Sequence, residues 1–269
     1  MIPPVLTVPG DSPLILGQPH GATALGDVED ALNARGRAVA DTDWHIPLLY
    51  EDLAPDATII RAGYSRYVLD VNRDPSGASL YPGQNTTGLC PVIDFEGKAI
   101  YREGCEPDEA EIERRAKQVH APYHAAMQAQ IARVKMQNGA AVLYDCHSIR
   151  GNLPFLFEGR LPDLNIGTND GASCAPEISA LLEDWRAEAE AAGFSTVING
   201  RFKGGWTTRH YGQPQAGVHA VQMEIAQASY MEENPPWTYD SEKAATLRPL
   251  LQTLLTRLKT AGAAFAAAN

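Results

Sequence analysis

Two segments of the chain end on a histidine in a way that suits metal chemistry. Leu14-Ile15-Leu16 runs into Gln18-Pro19-His20-Gly21, and Ala140-Ala141-Val142-Leu143-Tyr144 runs into Asp145-Cys146-His147-Ser148. Between them lies an acidic turn, Asp41-Thr42-Asp43-Trp44-His45. Two histidines and a carboxylate are the usual protein ligands of a catalytic zinc ion with one open position. A site of that kind hydrolyses its substrate with activated water. Asp145 stands two residues before His147, so in an extended strand both side chains project to one face, and Asp145 is a candidate partner for that imidazole. Spacing does not single out the third ligand: Asp43 competes with Asp41, Asp27, Glu29 and His45. For each histidine alone, an ordinary polar loop residue is an equal alternative.

Hydrolysis at such a centre also needs a base and a hold on the substrate. Glu224 closes the strand-like run Val218–Ile225 and is the candidate base. Glu158, Glu177, Glu232 and Glu233 compete with it on sequence alone. His120 and His124, one helical turn apart, are a second possible ligand pair. Their helix is charged and carries Pro122 between them, which favours a solvated face. His210, beside Arg209 in a glycine-rich loop, is a candidate to face substrate, whereas His45 and His219 have no evident partners. Positive charge gathers in two places. Arg61, Arg66 and Arg73 lie close together with Asn72 among them. Further on comes Arg201-Phe202-Lys203-Gly204-Gly205-Trp206-Thr207-Thr208-Arg209-His210. Arginine grips a carboxylate through two parallel hydrogen bonds, and glycines let backbone approach a ligand. These clusters point to a small carboxylate-bearing substrate; the alternative is a pair of solvated turns. There is no P-loop and no GxGxxG.

The elements that must position these residues alternate between strand and helix. Strands are expected at 5–8, 14–16, 58–61, 67–71, 140–145, 164–167, 194–198 and 218–225. Helices are expected at 27–36, at 43–53 with Asp43 in its first turn, at 107–137 with a break or kink at Pro122, at 175–192 and at 240–265. This alternation predicts an α/β fold with a mixed, largely parallel central sheet flanked by helices, in a single domain spanning 1–269. Ligands of such sheets bind at the carboxyl ends of strands, where His20, His147 and Glu224 all fall. Residues 74–96 form a long Gly-, Pro-, Ser- and Asn-rich stretch of the kind that often serves function, and a lid is one such role. The 269 residues are 44% hydrophobic, enough for one sizeable core. The net charge of −11 argues against nucleic-acid binding. Four scattered cysteines without a CxxC pair read as reduced thiols. With no signal-peptide pattern at the start and no run of about 20 apolar residues, a cytoplasmic protein away from membranes is expected.

Six segments together resemble the N-formylglutamate amidohydrolases (N-formylglutamate deformylases), relatives of the zinc carboxypeptidases and aspartoacylases. They are PHGA at 19–22, DTDWHIPLLYE at 41–51, SRYVLDVNR at 65–73, YDCHS at 144–148, NGRFKGGWTTRHYGQP at 199–214 and QMEIAQASYM at 222–231. The resemblance runs over nearly the whole chain and implies a zinc-exopeptidase-like fold of the phosphorylase/hydrolase-like kind. It implies His20, Asp43 and His147 as ligands of Zn²⁺ or another divalent transition metal, with Glu224 as general base and acid. Because the HxxE spacing of the carboxypeptidases is missing after His20, the carboxylate must come from further along, at Asp43. Arg66 would stabilise the oxyanion and, with Asn72 and Arg73, hold the substrate. The loop containing Lys203, Gly204, Thr207 and Arg209 would close over the glutamate portion. The activity implied is hydrolysis of N-formyl-L-glutamate to formate and L-glutamate in histidine degradation. Alternatives are a deacylase for another N-acyl amino acid, a small zinc carboxypeptidase, or a non-catalytic binding protein for acidic amino acids.

Overall fold

The structure, a computed structural model, describes residues 2–78 and 83–267. Seven strands form one sheet: β1 (Val5–Val8), β2 (Leu14–Gln18), β3 (Thr58–Ala62), β4 (Ala141–Ile149), β5 (Leu164–Gly167), β6 (Thr196–Ile198) and β7 (Val218–Ala226), in the spatial order β1-β3-β2-β4-β7-β5-β6. β3, β2, β4 and β7 run parallel; β1 pairs antiparallel with β3, and β5 antiparallel with β7. The expected mixed, largely parallel α/β sheet is what forms. β4 and β7 are the longest strands and are buried at every position, as strands covered on both faces must be.

One face of the sheet packs Leu14, Leu16, Val142, Tyr144, Val221 and Met223 against the helices Pro176–Ala191 and Ser241–Ala267. The other packs Ile15, Ala141, Leu143 and Ala220 against Tyr123, Met127, Ile131 and Val134 of the helix Ala121–Asn138. On this second face the alternation of side chains carries β4 from Ala141 and Leu143 to Asp145 and His147, and β7 from Ala220 to Gln222 and Glu224. The face therefore changes from apolar to ionisable as the strands reach their carboxyl ends.

Several expected elements take other forms. The helix expected at 27–36 is a 3₁₀ turn, Gly26–Ala31, followed by a single turn, Ala34–Arg37, capped by the Asn33 side chain. Of the helix expected at 43–53 only Ile46–Leu49 is helical, because His45 takes a left-handed conformation at φ 60° and blocks any extension toward Asp43. Residues 67–71 are not a strand. The apolar run Tyr67-Val68-Leu69 is buried in a turn that Val68 N–H closes onto the Ser65 carbonyl, so its hydrophobicity reports burial rather than extension. Pro122 does not break its helix. A π-turn over Ala116–His120, closed by Ala121 N–H on the Ala116 carbonyl, widens the spiral just before the proline. Nor are His120 and His124 solvated: both are buried, facing the 70–73 segment. No helix among the described residues is long and apolar enough to cross a membrane.

Trp185 is the largest fully buried side chain, and its indole N–H donates to the Leu250 carbonyl at 2.9 Å, tying the helix Pro176–Ala191 to Ser241–Ala267. Trp185→Ala should cost about 3–5 kcal/mol of unfolding free energy in a urea titration. A loss below about 1 kcal/mol would show that this packing is not what it looks to be.

Candidate active site

β2 and β4 are neighbours, and the chain beyond β2 turns at Pro19 to bring His20 beside His147. Their Nδ1 atoms are 3.2 Å apart. Each ring is fixed from behind. His20 Nε2 lies 2.7 Å from Asp70 Oδ1, and His147 Nε2 lies 2.8 Å from Asp145 Oδ2. A carboxylate accepts, so both Nε2 atoms carry a proton and both Nδ1 atoms face inward. Asp43 Oδ2 completes the group at 3.7 Å from His20 Nδ1 and 3.3 Å from His147 Nδ1. The Asp43 turn is tied to both histidine segments: its N–H donates to the His20 carbonyl, and its Oδ2 accepts from Ser148 N–H. Gly17 stands opposite Asp145 in the β2–β4 register, and a Cβ there would come within 3.0 Å of Asp145 Oδ1. The glycine thus leaves room for the buried carboxylate.

Glu224 is the registered neighbour of His147 across β4 and β7, one position of the sheet away on the same face. Its Oε2 accepts from the Gln222 amide at 3.1 Å. Burial pushes the Glu224 carboxyl up to about 7; His147 works against that rise and Asp43 adds to it. For Asp43, burial would raise the pKa, but Arg66 and the two histidines hold it well below the usual carboxylate range.

A cavity of about 190 Å³ opens over these groups, lined by His20, His147, Glu224, Gln222, Arg66, Asn72, Arg73 and Arg201. Phe95, Leu156 and Phe202 supply apolar wall, and Asp74, Asn85, Thr86 and Thr87 also face it. The described parts of the 74–96 stretch are therefore a wall of the cavity; residues 79–82 lie outside the described residues. Arg66 stacks on Phe95, 4.9 Å from the ring centre, and reaches His20 Nδ1 and Asp43. Arg73 is braced by Asp70 and by the carbonyl and hydroxyl of Thr87. Asn72 accepts Thr207 N–H at 2.8 Å, while its amide nitrogen lies 3.1 Å from His147 Nε2. A Cβ on Gly205 would lie 2.3 Å from that amide nitrogen, so only glycine fits beside it.

Of the residues singled out by sequence, the structure gathers His20, Asp43, His147, Glu224, Arg66, Asn72 and Arg73 around one cavity. It does not bring the other four to the cavity wall. Lys203 pairs with Asp170, Thr207 is buried beneath Asn72, Arg209 donates to the Gly204 carbonyl, and Gly204, at φ 117°, shapes the turn. Among the competing acids, Asp41 faces Tyr67, Phe95 N–H and Arg150 rather than the histidines. Glu233 caps the Gly151 and Ala228 N–H groups. His210 stacks on Trp206 at 4.2 Å, and His45 donates to the Trp237 carbonyl. Sequence reasoning did not find Asp70, Phe95 or Gln222. Asp70 sat inside an expected strand, and only its placement between Arg66 and Asn72 hinted at a share in the site.

The residues fit a divalent cation. Three lone-pair atoms from His20, Asp43 and His147 lie within 4.8 Å of one another, and Asp43 Oδ1 is buried with no hydrogen-bond partner. Such a group repels itself unless positive charge enters it. The Arg66 guanidinium already leans into it. His147 shows the same pull: burial would push its imidazolium down, yet Asp145 and Asp43 raise it well above the usual histidine range. Two imidazoles and one carboxylate suit zinc, and the same donors accept other first-row divalent metals.

The N-formylglutamate amidohydrolase family profile matches residues 12–231. An N-formylglutamate deformylase of Pseudomonas aeruginosa is 48% identical over 252 residues, covering 93% of each chain. An N-formylglutamate deformylase of Pseudomonas putida is 46% identical over 257 residues, covering 94% of this chain and 95% of that one. The crystal structure of N-formylglutamate amidohydrolase from Ralstonia eutropha JMP134 superposes with a TM-score of 0.78 at 26% identity, covering 96% of this chain and 98% of that one.

Asp70→Asn removes the charge that orients His20 while keeping the side chain's shape. It should weaken metal binding by about 10–100-fold in a chelator-competition titration. Affinity equal to wild type would show that Asp70 does not support a metal ligand.

Proposed function

The chain belongs to the N-formylglutamate amidohydrolase family, and from that premise we propose that it hydrolyses N-formyl-L-glutamate to formate and L-glutamate, with His20, Asp43 and His147 holding a divalent metal, zinc by preference. The observation that carries this reading is the registry of Glu224 beside His147, which sets a buried carboxyl of raised pKa next to the metal-ligand group at the floor of an arginine-lined cavity. The metal would supply polarisation of the formyl carbonyl and acidification of water.

The remaining work falls to side chains of this chain. Glu224, as carboxylate, takes a proton from the attacking water while the water oxygen bonds to the formyl carbon. Its pKa near neutrality suits a group that must both accept this proton and release it. When the carbon–nitrogen bond breaks, Glu224 passes the proton to the departing amine, so that water is divided between formate and L-glutamate. Arg66, buried over Phe95, is placed to stabilise negative charge growing on the formyl oxygen. Arg73 and Arg201 line the outer cavity, and their guanidinium groups suit the two substrate carboxylates. Lys203 and Arg209 would act from behind this wall rather than on it. Phe95, Leu156 and Phe202 exclude water and strengthen these charge interactions. The resemblance noted above also gives the reaction its place in histidine degradation.

Four measurements test this reading. N-formyl-L-glutamate should be hydrolysed faster than N-succinylglutamate and N-acetylaspartate; equal or higher rates on the latter two would overturn the formyl assignment. Activity should vanish on dialysis against a chelator and return with zinc, and a chelator-insensitive enzyme would contradict the metal centre. Glu224→Gln should lower kcat by about 10²–10⁴-fold with metal content unchanged. Because a base works unprotonated, kcat/KM should fall as pH drops below the Glu224 pKa. Nearby cation charge lowers that pKa, so the acid limb should have its midpoint at or below about 7. A midpoint well above that value would assign the base role elsewhere.

A further inference from the structure

The segment 70–73 serves both halves of the site at once. Asp70 accepts from His20, Asn72 lies against His147, and Arg73 lines the cavity. Yet the segment belongs to no strand, so no sheet ladder holds it. Local bonds do part of the work, since Asp70 N–H donates to the Leu89 carbonyl and Asp70 Oδ1 accepts from Asn72 N–H. Two further constraints come from the helix behind. His124 Nε2 lies 2.7 Å from the Val71 carbonyl and His120 Nε2 lies 3.1 Å from the Arg73 carbonyl. A carbonyl only accepts, so both rings carry their proton on Nε2. His124 Nδ1 is then free to accept from the Tyr211 hydroxyl at 2.8 Å, which fixes the same tautomer from the other side. Burial lowers the pKa of both rings, taking His124 to about 3 with His120 adding to the effect, so both are neutral near pH 7. The rings lie 4.2 Å apart, and Trp206 covers both. The π-turn that accommodates Pro122 ends on His120, so it sets where that ring stands relative to His124.

We propose that His120 and His124 are positioning residues for the hydrolysis. Their Nε2–H groups pin the carbonyls on either side of Asn72, and so hold Asn72 and Arg73 at the cavity wall. The inference deepens the function proposed above and rests on it for the identity of the substrate. Glutamine can present an amide N–H close to where a histidine presents Nε2–H, whereas leucine cannot donate and asparagine is too short to reach.

The test combines a spectroscopic and a kinetic readout on the metal-loaded protein. Long-range ¹H–¹⁵N spectra at neutral pH should show Nε2 protonated and Nδ1 bare on both rings. His120→Leu and His124→Leu should each raise KM for N-formyl-L-glutamate about tenfold with kcat within about threefold of wild type, and the glutamine variants should bring KM back to within about threefold. Protonation at Nδ1 on either ring would overturn the proposal. So would folded leucine variants with wild-type KM, or glutamine variants no better than leucine. If the leucine variants do not fold, the tautomers and the comparison of glutamine with asparagine variants decide the matter. A wild-type protein that leaves N-formyl-L-glutamate intact would refute the proposed substrate, and the tautomers would still decide whether the two carbonyls are pinned.

Discussion

Two imidazoles face each other through Nδ1 nitrogens 3.2 Å apart, and that arrangement governs the rest of the molecule. Left alone, the rings would turn away or share a proton. They stay because Asp70 and Asp145 take the opposite nitrogens, and because Asp43 closes the third side. The cost of burying three carboxylates is met by hydrogen bonds and by positive charge rather than by solvent. Arg66 and Arg73 supply part of that charge, and the cation proposed among the Nδ1 atoms would supply the remainder. The surrounding structure can be understood as what keeps these groups from relaxing.

The sheet does this with its central strands. Parallel neighbours β2, β4 and β7 end at the same edge, so His20, His147 and Glu224 need no long loop to meet. Register matters more than proximity: Gly17 opposite Asp145 makes space for a carboxylate, and His147 opposite Glu224 sets the proposed base beside a proposed ligand. A slip of one residue between β4 and β7 would turn Glu224 to the face packed by the helices Pro176–Ala191 and Ser241–Ala267. The apolar halves of the strands, from Ala141 to Leu143 and from Val218 to Val221, therefore protect function as well as stability.

Much of this could be read in the sequence, for identifiable reasons. Apolar runs that stop on a histidine mark strand ends at a sheet edge, and those at 14–20 and 140–147 were legible as such. Asp145 was legible because period-two geometry puts it beside His147. Elsewhere the local pattern misled. Tyr67-Val68-Leu69 is apolar because it is buried, and a turn buries such a run as well as a strand does. The charged residues around His120 and His124 lie on the outer side of a helix whose inner side carries the two rings. Pro122 suggested a break, but a single π-turn before it satisfies the backbone. Asp70 had only its place between Arg66 and Asn72 to mark it, since its role depends on a fold that brings residue 70 to residue 20, a contact the spacing does not record.

For an acidic chain, the proposed acidic substrate presents an electrostatic problem, and the arginines of the cavity offer an answer to it. The net charge of −11 repels an anion at long range, but at physiological ionic strength that repulsion is screened over about 8 Å. What the substrate meets at contact is the local field of Arg73, Arg201 and Arg66 along one cavity. Deeper in, Glu224 faces the cavity while Asp43, Asp70 and Asp145 lie buried behind it, near the guanidinium groups of Arg66 and Arg73. A divalent cation of the kind proposed for His20, Asp43 and His147 would set opposite charge among these carboxyls. The same cation would make the cavity floor acceptable to the negative charge that grows on the formyl oxygen in the proposed hydrolysis. Charge that orients the ligands, charge that receives the substrate and charge that the reaction creates are thus balanced within one small volume.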